Sequence, residues 1–191
     1  MFKKGFTLAE VLVTVGVIGV VAALTIPSLS NSYQKRMLAT QLQKAYSQIS
    51  QAGVMATADS MSNDFTKSDI IKDCKFIGPY LKAKKFEYKD LFVDKYELDG
   101  NDSYNPLAKE IFAQGGKRAK YDCGKLSSGA VVCINNKAQG FLDVNGKKEP
   151  NIIGKDAFTI GFAATGELND RYSLYLRHII EHDWDMDKYD E

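Results

Sequence analysis

The chain has 191 residues, of which 45% are hydrophobic and 26% charged, and its formal net charge is +1. That length suits one domain plus an appendage, and that balance excludes a generally basic nucleic-acid binder and wholesale disorder. The average conceals an apolar stem: between Phe6 and Leu29 the one charged residue is Glu10, while Lys3 and Lys4 lie just before it.

As a helix this stem extends about 36 Å, against a bilayer hydrocarbon core of about 30 Å, so it can span. Lys3 and Lys4 would hold its short flank in the cytoplasm and put the rest of the chain across the membrane. Three readings compete. The stem can be a plain signal anchor, or a cleaved secretory signal ending at Val21-Ala22-Ala23. The third accounts for Gly5, Phe6 and Glu10 together. A carboxylate in an apolar span costs roughly 2.5–3.5 kcal/mol at mid-bilayer, less near its edge, and an anchor has no use for it. If the chain is cut after Gly5, Phe6 acquires an ammonium one helical turn from Glu10. The two charges can then pair, within a chain or between neighbours, and set the axial register of packed helices. The blander alternative is that Glu10 sits at headgroup depth and snorkels.

The run Lys3-Lys4-Gly5-Phe6-Thr7-Leu8-Ala9-Glu10, followed by Val11 to Leu24 and Pro27, resembles the N-terminal signal of type IV pilins and type II secretion pseudopilins. The resemblance implies a precursor cut by prepilin peptidase between Gly5 and Phe6, with methylation of Phe6 and docking of Glu10 onto a neighbour's amine. It implies further a single-pass protein of the bacterial inner membrane, N-terminus cytoplasmic and head outside. An assembly platform would then move it from lipid into a filament of like subunits. Leu8, Val11, Leu12, Val15, Ile18 and Val21 would pass from lipid into the filament core, and Pro27 matches the family's helix-breaking proline. The corresponding division is a leader at 1–5, a filament-core helix at 6–29 and a head at 30–191.

Beyond Pro27 the pattern becomes amphipathic. Tyr33, Met37, Leu42, Tyr46, Ile49, Ala52 and Ala56 recur at close to helical spacing, which predicts one helix from about Phe6 to Ala58, bent or locally melted at Pro27, with this stripe facing the core of the head. Gly16 and Gly19 are small enough to let helices approach closely. Ser68 suits the cap of a short helix through Cys74 to Ile77, ended by Gly78-Pro79. Lysines interleave with aromatics between Lys82 and Leu98, a pattern that can bind DNA, but Glu87, Asp90, Asp94 and Glu97 dilute it to a mixed solvated face. Ala130–Ile134, Ala138–Val144 and Ala157–Ala163 read as antiparallel strands, the first two joined by a tight turn at Asn135-Asn136. A last helix runs from Asn169 to about His182, with Tyr172, Tyr175, Leu176, Ile179 and Ile180 inward. The fold class is therefore α+β, and the resemblance gives it the lollipop shape of a pilin, a long helix packed on a small antiparallel sheet.

Asp143, Asn145, Gly146, Pro150, Asn151, Gly154, Asp156 and Phe158 also resemble a loop motif of pilin-like heads. Asp143, Asn145, Asn151 and Asp156 offer hard oxygens of the kind calcium takes, and major pseudopilins use calcium in a C-terminal loop. Asx-turns explain Asp143 and Asn145 without a metal, and the position where an EF-hand has Glu holds Gly154. Three cysteines, Cys74, Cys123 and Cys133, allow one disulfide outside the cytoplasm. Cys123–Cys133 closes a short loop across a hairpin, and either pairing with Cys74 stays open. His178-Ile179-Ile180-Glu181-His182 matches the inverted zinc-peptidase pattern, but these are the only two histidines, which leaves a catalytic zinc short of a ligand. No nucleophile, phosphate loop or other cofactor motif is present, and the chain reads as a building block.

Overall fold

The computed structural model describes residue 5, residues 7–91, 96–98, 121–169 and 173–186. Its first element, α1 (Leu8–Asp59), is a 52-residue helix, about 78 Å long. It runs unbroken through Pro27, so no turn is melted there. A mid-helix proline removes one backbone hydrogen bond, and the turns on either side keep theirs. The helix ends at Ser60, whose N–H reaches the carbonyls of Ala56 and Thr57.

The buried face of α1 begins at Leu38 and continues through Ala39, Leu42, Ala45, Ile49, Ala52, Gly53 and Ala56. This corrects the N-terminal end of the expected stripe, for Tyr33 and Met37 are 68% and 40% exposed, and Tyr46 is half-buried. Small side chains dominate the true contact face and bring the helix axis close to the sheet.

After α1 a 3-10 turn (Phe65–Lys67) leads to α2 (Asp69–Lys72) and α3 (Ile77–Leu81). Ser68 caps α2 by accepting from the Ile71 N–H, but the helix stops at Lys72, and Cys74 takes φ 55°. Gly78-Pro79 lies in the first turn of α3 rather than ending a helix. Proline is tolerated there because first-turn N–H groups have no intrahelical acceptor. The Phe76 cap position offers α3 no side-chain bond, and buried Asp122 accepts from the Ile77 N–H at 2.8 Å instead.

The sheet comprises β1 (Lys84–Lys85), β2 (Glu97–Leu98), β3 (Tyr121–Lys125), β4 (Val131–Asn135), β5 (Gln139–Asp143), β6 (Ile152–Ile153), β7 (Ala157–Phe162) and β8 (Leu168–Asn169). A short helix, α4 (Tyr88–Leu91), lies between β1 and β2. The strand order is β1-β3-β4-β5-β7-β6-β2, with β8 also on β7. Pairing is antiparallel except at β2–β6 and β6–β7. The three strands expected from sequence are β4, β5 and β7. Asn135 turns the first pair, its Oδ1 accepting from the N–H groups of Lys137 and Gln139 while Ala138 takes φ 59°.

Both sheet faces are covered. Val132, Ile134, Leu142, Phe158, Ile160 and Phe162 face α1, together with Phe65 and Phe76. Val131, Cys133, Phe141 and Ala157 face away and pack with Leu91, Tyr96 and Ile153. The last helix, α5 (Leu174–Glu181), starts five residues later than expected, because Asn169 belongs to β8 and pairs with Gly161 of β7. Ser173 caps it by accepting from the Leu176 N–H. Tyr175, Leu176 and Ile179 are buried and Ile180 half-buried, while Tyr172 lies outside the described residues.

One contact fixes helix to sheet at closest range. A Cβ on Gly53 would run into the Gly166 carbonyl and the Phe162 ring, and one on Gly166 would run into Thr57 and the Gly53 backbone. Gly166 also has φ 86°. Nearby, the Tyr46 hydroxyl donates to the Leu168 carbonyl and the Ser50 hydroxyl accepts from the Leu168 N–H. Gly53→Ala should therefore destabilise the head by about 1–3 kcal/mol through overpacking, read as a lower midpoint in thermal unfolding of the detergent-solubilised chain.

Candidate functional site

The first candidate is the stem. Leu8, Leu12 and Val15 are 80%, 64% and 62% exposed, and Val11, Ile18 and Val21 are exposed too. No part of the described chain covers them. Burying each large aliphatic side chain is worth roughly 1.5–3 kcal/mol, so a bare shaft of this length must lie in lipid or against other helices. Among the described residues α1 is the one helix long and apolar enough to cross a membrane. Its hydroxyls suit that setting: Thr14 donates to the carbonyls of Glu10 and Val11, and Thr25 to that of Val21. A Cβ at Gly16 or Gly19 would meet nothing within 4 Å. Among the described residues nothing needs glycine there, and the two positions leave the backbone open to close approach by another helix.

At the tip, Thr7 and Glu10 form a capping box. Glu10 Oε2 accepts from the Thr7 N–H and hydroxyl, each at 2.8 Å, and Thr7 Oγ1 accepts from the Glu10 N–H at 3.3 Å. Thr7 is the residue that attention to Glu10 alone passes over, although Thr-x-x-Glu before an apolar run is the sequence signature of this cap. Gly5 is exposed. Lys3, Lys4 and Phe6 lie outside the described residues.

The second candidate is the loop from β5 to β7, into which β6 is set. Asp143 and Asp156 are both fully buried. Asp143 Oδ1 accepts from the N–H groups of Asn145 and Gly146, and its Oδ2 from the Tyr96 hydroxyl at 2.6 Å. Asp156 accepts from the N–H groups of Asn151 and Ile152, one on each oxygen. Asn145 Nδ2 donates to the Glu149 carbonyl. The two carboxylates thus organise the loop by binding backbone donors. Asn145 Oδ1 and Asn151 Oδ1, in contrast, are buried without a hydrogen-bond partner. Among the described residues no group of three or more His, Cys, Asp or Glu is placed to hold a metal.

Burial pushes Asp143 up to about 7; the Tyr96 hydroxyl opposes the shift, nearby Asp156 adds to it, and the backbone donors oppose it. Burial also raises Asp156, against the N–H groups that favour its charge.

Cys123 and Cys133 are directly opposed in β3 and β4 and joined by a disulfide; half-buried Cys74 is outside that bridge. His178 and His182 stack on α5 with ring centroids 4.1 Å apart, and His182 Nδ1 lies 2.9 Å from the His178 carbonyl.

A bare apolar shaft capped at its tip is thus continuous with the wall of a packed α+β head. Residues 1–26 match the prokaryotic N-terminal methylation motif. Two fimbrial proteins from Pseudomonas aeruginosa are each 28% identical to the chain over 155 and 156 residues, spanning 78% of this chain and 88% of each relative. No solved structure matches. The chain is thus similar to fimbrial proteins over most of its length and carries the N-terminal methylation motif at its start. The apolar helix and the motif fit a protein that is first membrane-anchored and then assembled into a filament.

The raised Asp143 fixes the sign of a pH effect. In the unfolded chain this group ionises near its ordinary 3.8, and in the fold near 7. Between those values the folded state keeps a proton that the unfolded state has lost. The contribution is therefore fully present below about pH 4, declines as pH rises and is gone above about pH 7, at most roughly 4 kcal/mol in all. Asp143→Asn should lose this decline, which unfolding midpoints of wild type and variant across pH 4 to 8 will compare.

Proposed function

We propose that the chain is the precursor of a pilus subunit. Prepilin peptidase cuts it between Gly5 and Phe6, with Lys3 and Lys4 as the basic leader, and Phe6 becomes the methylated N-terminus. The mature chain waits in the bacterial inner membrane with its N-terminus at the cytoplasmic face and its head outside. An assembly platform in that membrane then moves it into a filament. Residues 1–5, 6–29 and 30–191 act as leader, core helix and head.

The observation that carries this reading is the shaft, uncovered by any described residue, with a carboxylate at its tip and two glycines that no described neighbour requires. On assembly Leu8, Val11, Leu12 and Val15 exchange lipid for neighbouring helices of like polarity. Packing complementarity and charge pairing then supply the specificity. Glu10 already accepts N–H and O–H donors from Thr7; a neighbour's Phe6 amine would take their place. The fimbrial relatives favour a pilus over a secretion pseudopilus, and the mixed charge of 82–98 favours a structural role over DNA uptake.

Mass spectrometry of the mature N-terminus after co-expression with a prepilin peptidase tests the reading. A chain beginning at methylated Phe6 is expected. One beginning at Leu24 would mean a secreted soluble domain, and intact Met1 beside an active peptidase a signal anchor. Glu10→Gln separates the two roles of the carboxylate. Glutamine can keep the capping box, so the helix should persist, whereas filament incorporation should be lost with the charge.

Calcium at Asp143, Asn145, Asn151 and Asp156 is a second proposal, resting on the two orphaned amide oxygens beside a like-charged carboxylate pair. A cation there would satisfy both and relieve the repulsion. Millimolar calcium should then raise the unfolding midpoint and a chelator reverse it; an unchanged midpoint would leave the loop to its hydrogen bonds alone.

A further inference from the structure

The start of α1 is held by two hydrogen bonds whose donors a longer helix would need elsewhere. Thr7 is the N-cap, with φ −78° and ψ 152°, and its carbonyl accepts the first intrahelical bond, from the Val11 N–H at 3.3 Å. Continued toward the N-terminus, the helix would send each N–H to the carbonyl four residues back, that of Glu10 to Phe6 and that of Thr7 to Lys3. Both donors are already taken. The Glu10 N–H goes to Thr7 Oγ1 at 3.3 Å, and the Thr7 N–H to Glu10 Oε2 at 2.8 Å. The Thr7 hydroxyl donates to the same Oε2 at 2.8 Å and ties the two halves of the cap together.

The residues upstream offer a weaker stop in a different place. Positions 1–6 read Met-Phe-Lys-Lys-Gly-Phe and hold no Ser, Thr, Asp or Asn. The next residue of cap character is Gly5, two positions before Thr7, since glycine ranks close to threonine as a cap and far above alanine. A helix capped at Gly5 would begin at Phe6 and take the Gly5–Phe6 peptide into its first turn. Peptidases act on exposed backbone outside packed structure, and cleavage follows the fraction of molecules in which the bond is open. Here Gly5 is exposed and lies in no helix or strand.

We propose that Thr7 is a positioning residue for processing: its cap stops α1 short of the Gly5–Phe6 bond and so presents that bond to the peptidase. This deepens the precursor reading above and rests on it. Water hydrolyses the amide, leaving a carboxylate on Gly5 and an ammonium on Phe6, and Thr7 takes no part in that chemistry. Its role is exercised on the precursor, before any neighbour can dock on Glu10.

The full chain in detergent micelles is incubated with purified prepilin peptidase, and mass spectrometry reads the initial rate at which chains beginning at Phe6 form. Backbone carbon-13 shifts at positions 5 and 7 report where the helix starts. Thr7→Ala should slow cleavage roughly fivefold, the change in population that loss of a typical N-cap gives, and move both shifts toward helical values. Thr7→Ser and Thr7→Asn keep a capping oxygen and should be cut within about twofold of the wild-type rate. Thr14→Ala, which loses a hydroxyl that serves the Glu10 and Val11 carbonyls inside the helix, should keep the wild-type rate. Thr7→Ala cut as fast as wild type would overturn the proposal and leave the precursor reading intact. So would Ala and Asn variants slowed alike, which would mean that the peptidase reads the threonine itself, or a slow Ala variant whose shifts stay put. A wild-type chain left uncut, or cut elsewhere than after Gly5, would sink the precursor reading and this one with it.

Discussion

The structure depends on a single unbroken helix having to satisfy two solvents. From Leu8 to about Leu29 α1 presents aliphatic side chains on every side, and from Leu38 onward it turns a strip of alanines and glycine toward a β-sheet. Apart from the one bond lost at Pro27, the helix satisfies its interior backbone groups itself, which suits one element to both an apolar surrounding and a protein core. The close contact at Gly53 and Gly166 then determines where the sheet sits. The aromatic packing of Phe65 and Phe76 on Phe162 and the Tyr46 and Ser50 bonds to β8 lie around that point.

Much of this was legible in the residues, and the parts that were not share a cause. The long helix, the hairpin of β4 and β5, and β7 carry strong local patterns: an apolar run, β-branched clusters, an Asn-rich turn. Strands β1, β2, β6 and β8 are two residues each, too short to carry a pattern of their own, and β1 and β2 pair with β3 and β6 far along the chain. β3 is polar at Asp122 and Lys125, so its pairing with β4 outweighs its composition. The pattern of α1 points inward at Tyr33 and Met37 because large apolar residues weigh more in it than Ala39 and Ala45, whereas close packing selects small ones. Gly78-Pro79 read as a stop because local breakers look alike whether they end a helix or open one; the buried carboxylate of Asp122, some 45 residues on, decides between the two.

At the stem, sequence carried the role of Glu10 farther than that of Thr7, although the two form one hydrogen-bonded unit. In the β5–β7 loop the residue types were legible but their partners were not. Asp143 meets Tyr96, which immediately precedes β2 at the far edge of the sheet, and the orphaned amides of Asn145 and Asn151 appear only in three dimensions. Residue chemistry is local, and hydrogen-bond satisfaction belongs to the whole fold.

The capping box also bears on how easily a subunit changes places. While Thr7 occupies Glu10, the carboxylate is solvated by its own chain and does not demand a partner in the bilayer. Docking under the proposed scheme is then an exchange of donors rather than the capture of a bare charge. An exchange leaves a small net driving force at the tip, with the balance carried by the aliphatic surface along the shaft. Under that scheme the tip sets register and contributes little to the strength with which a subunit is held.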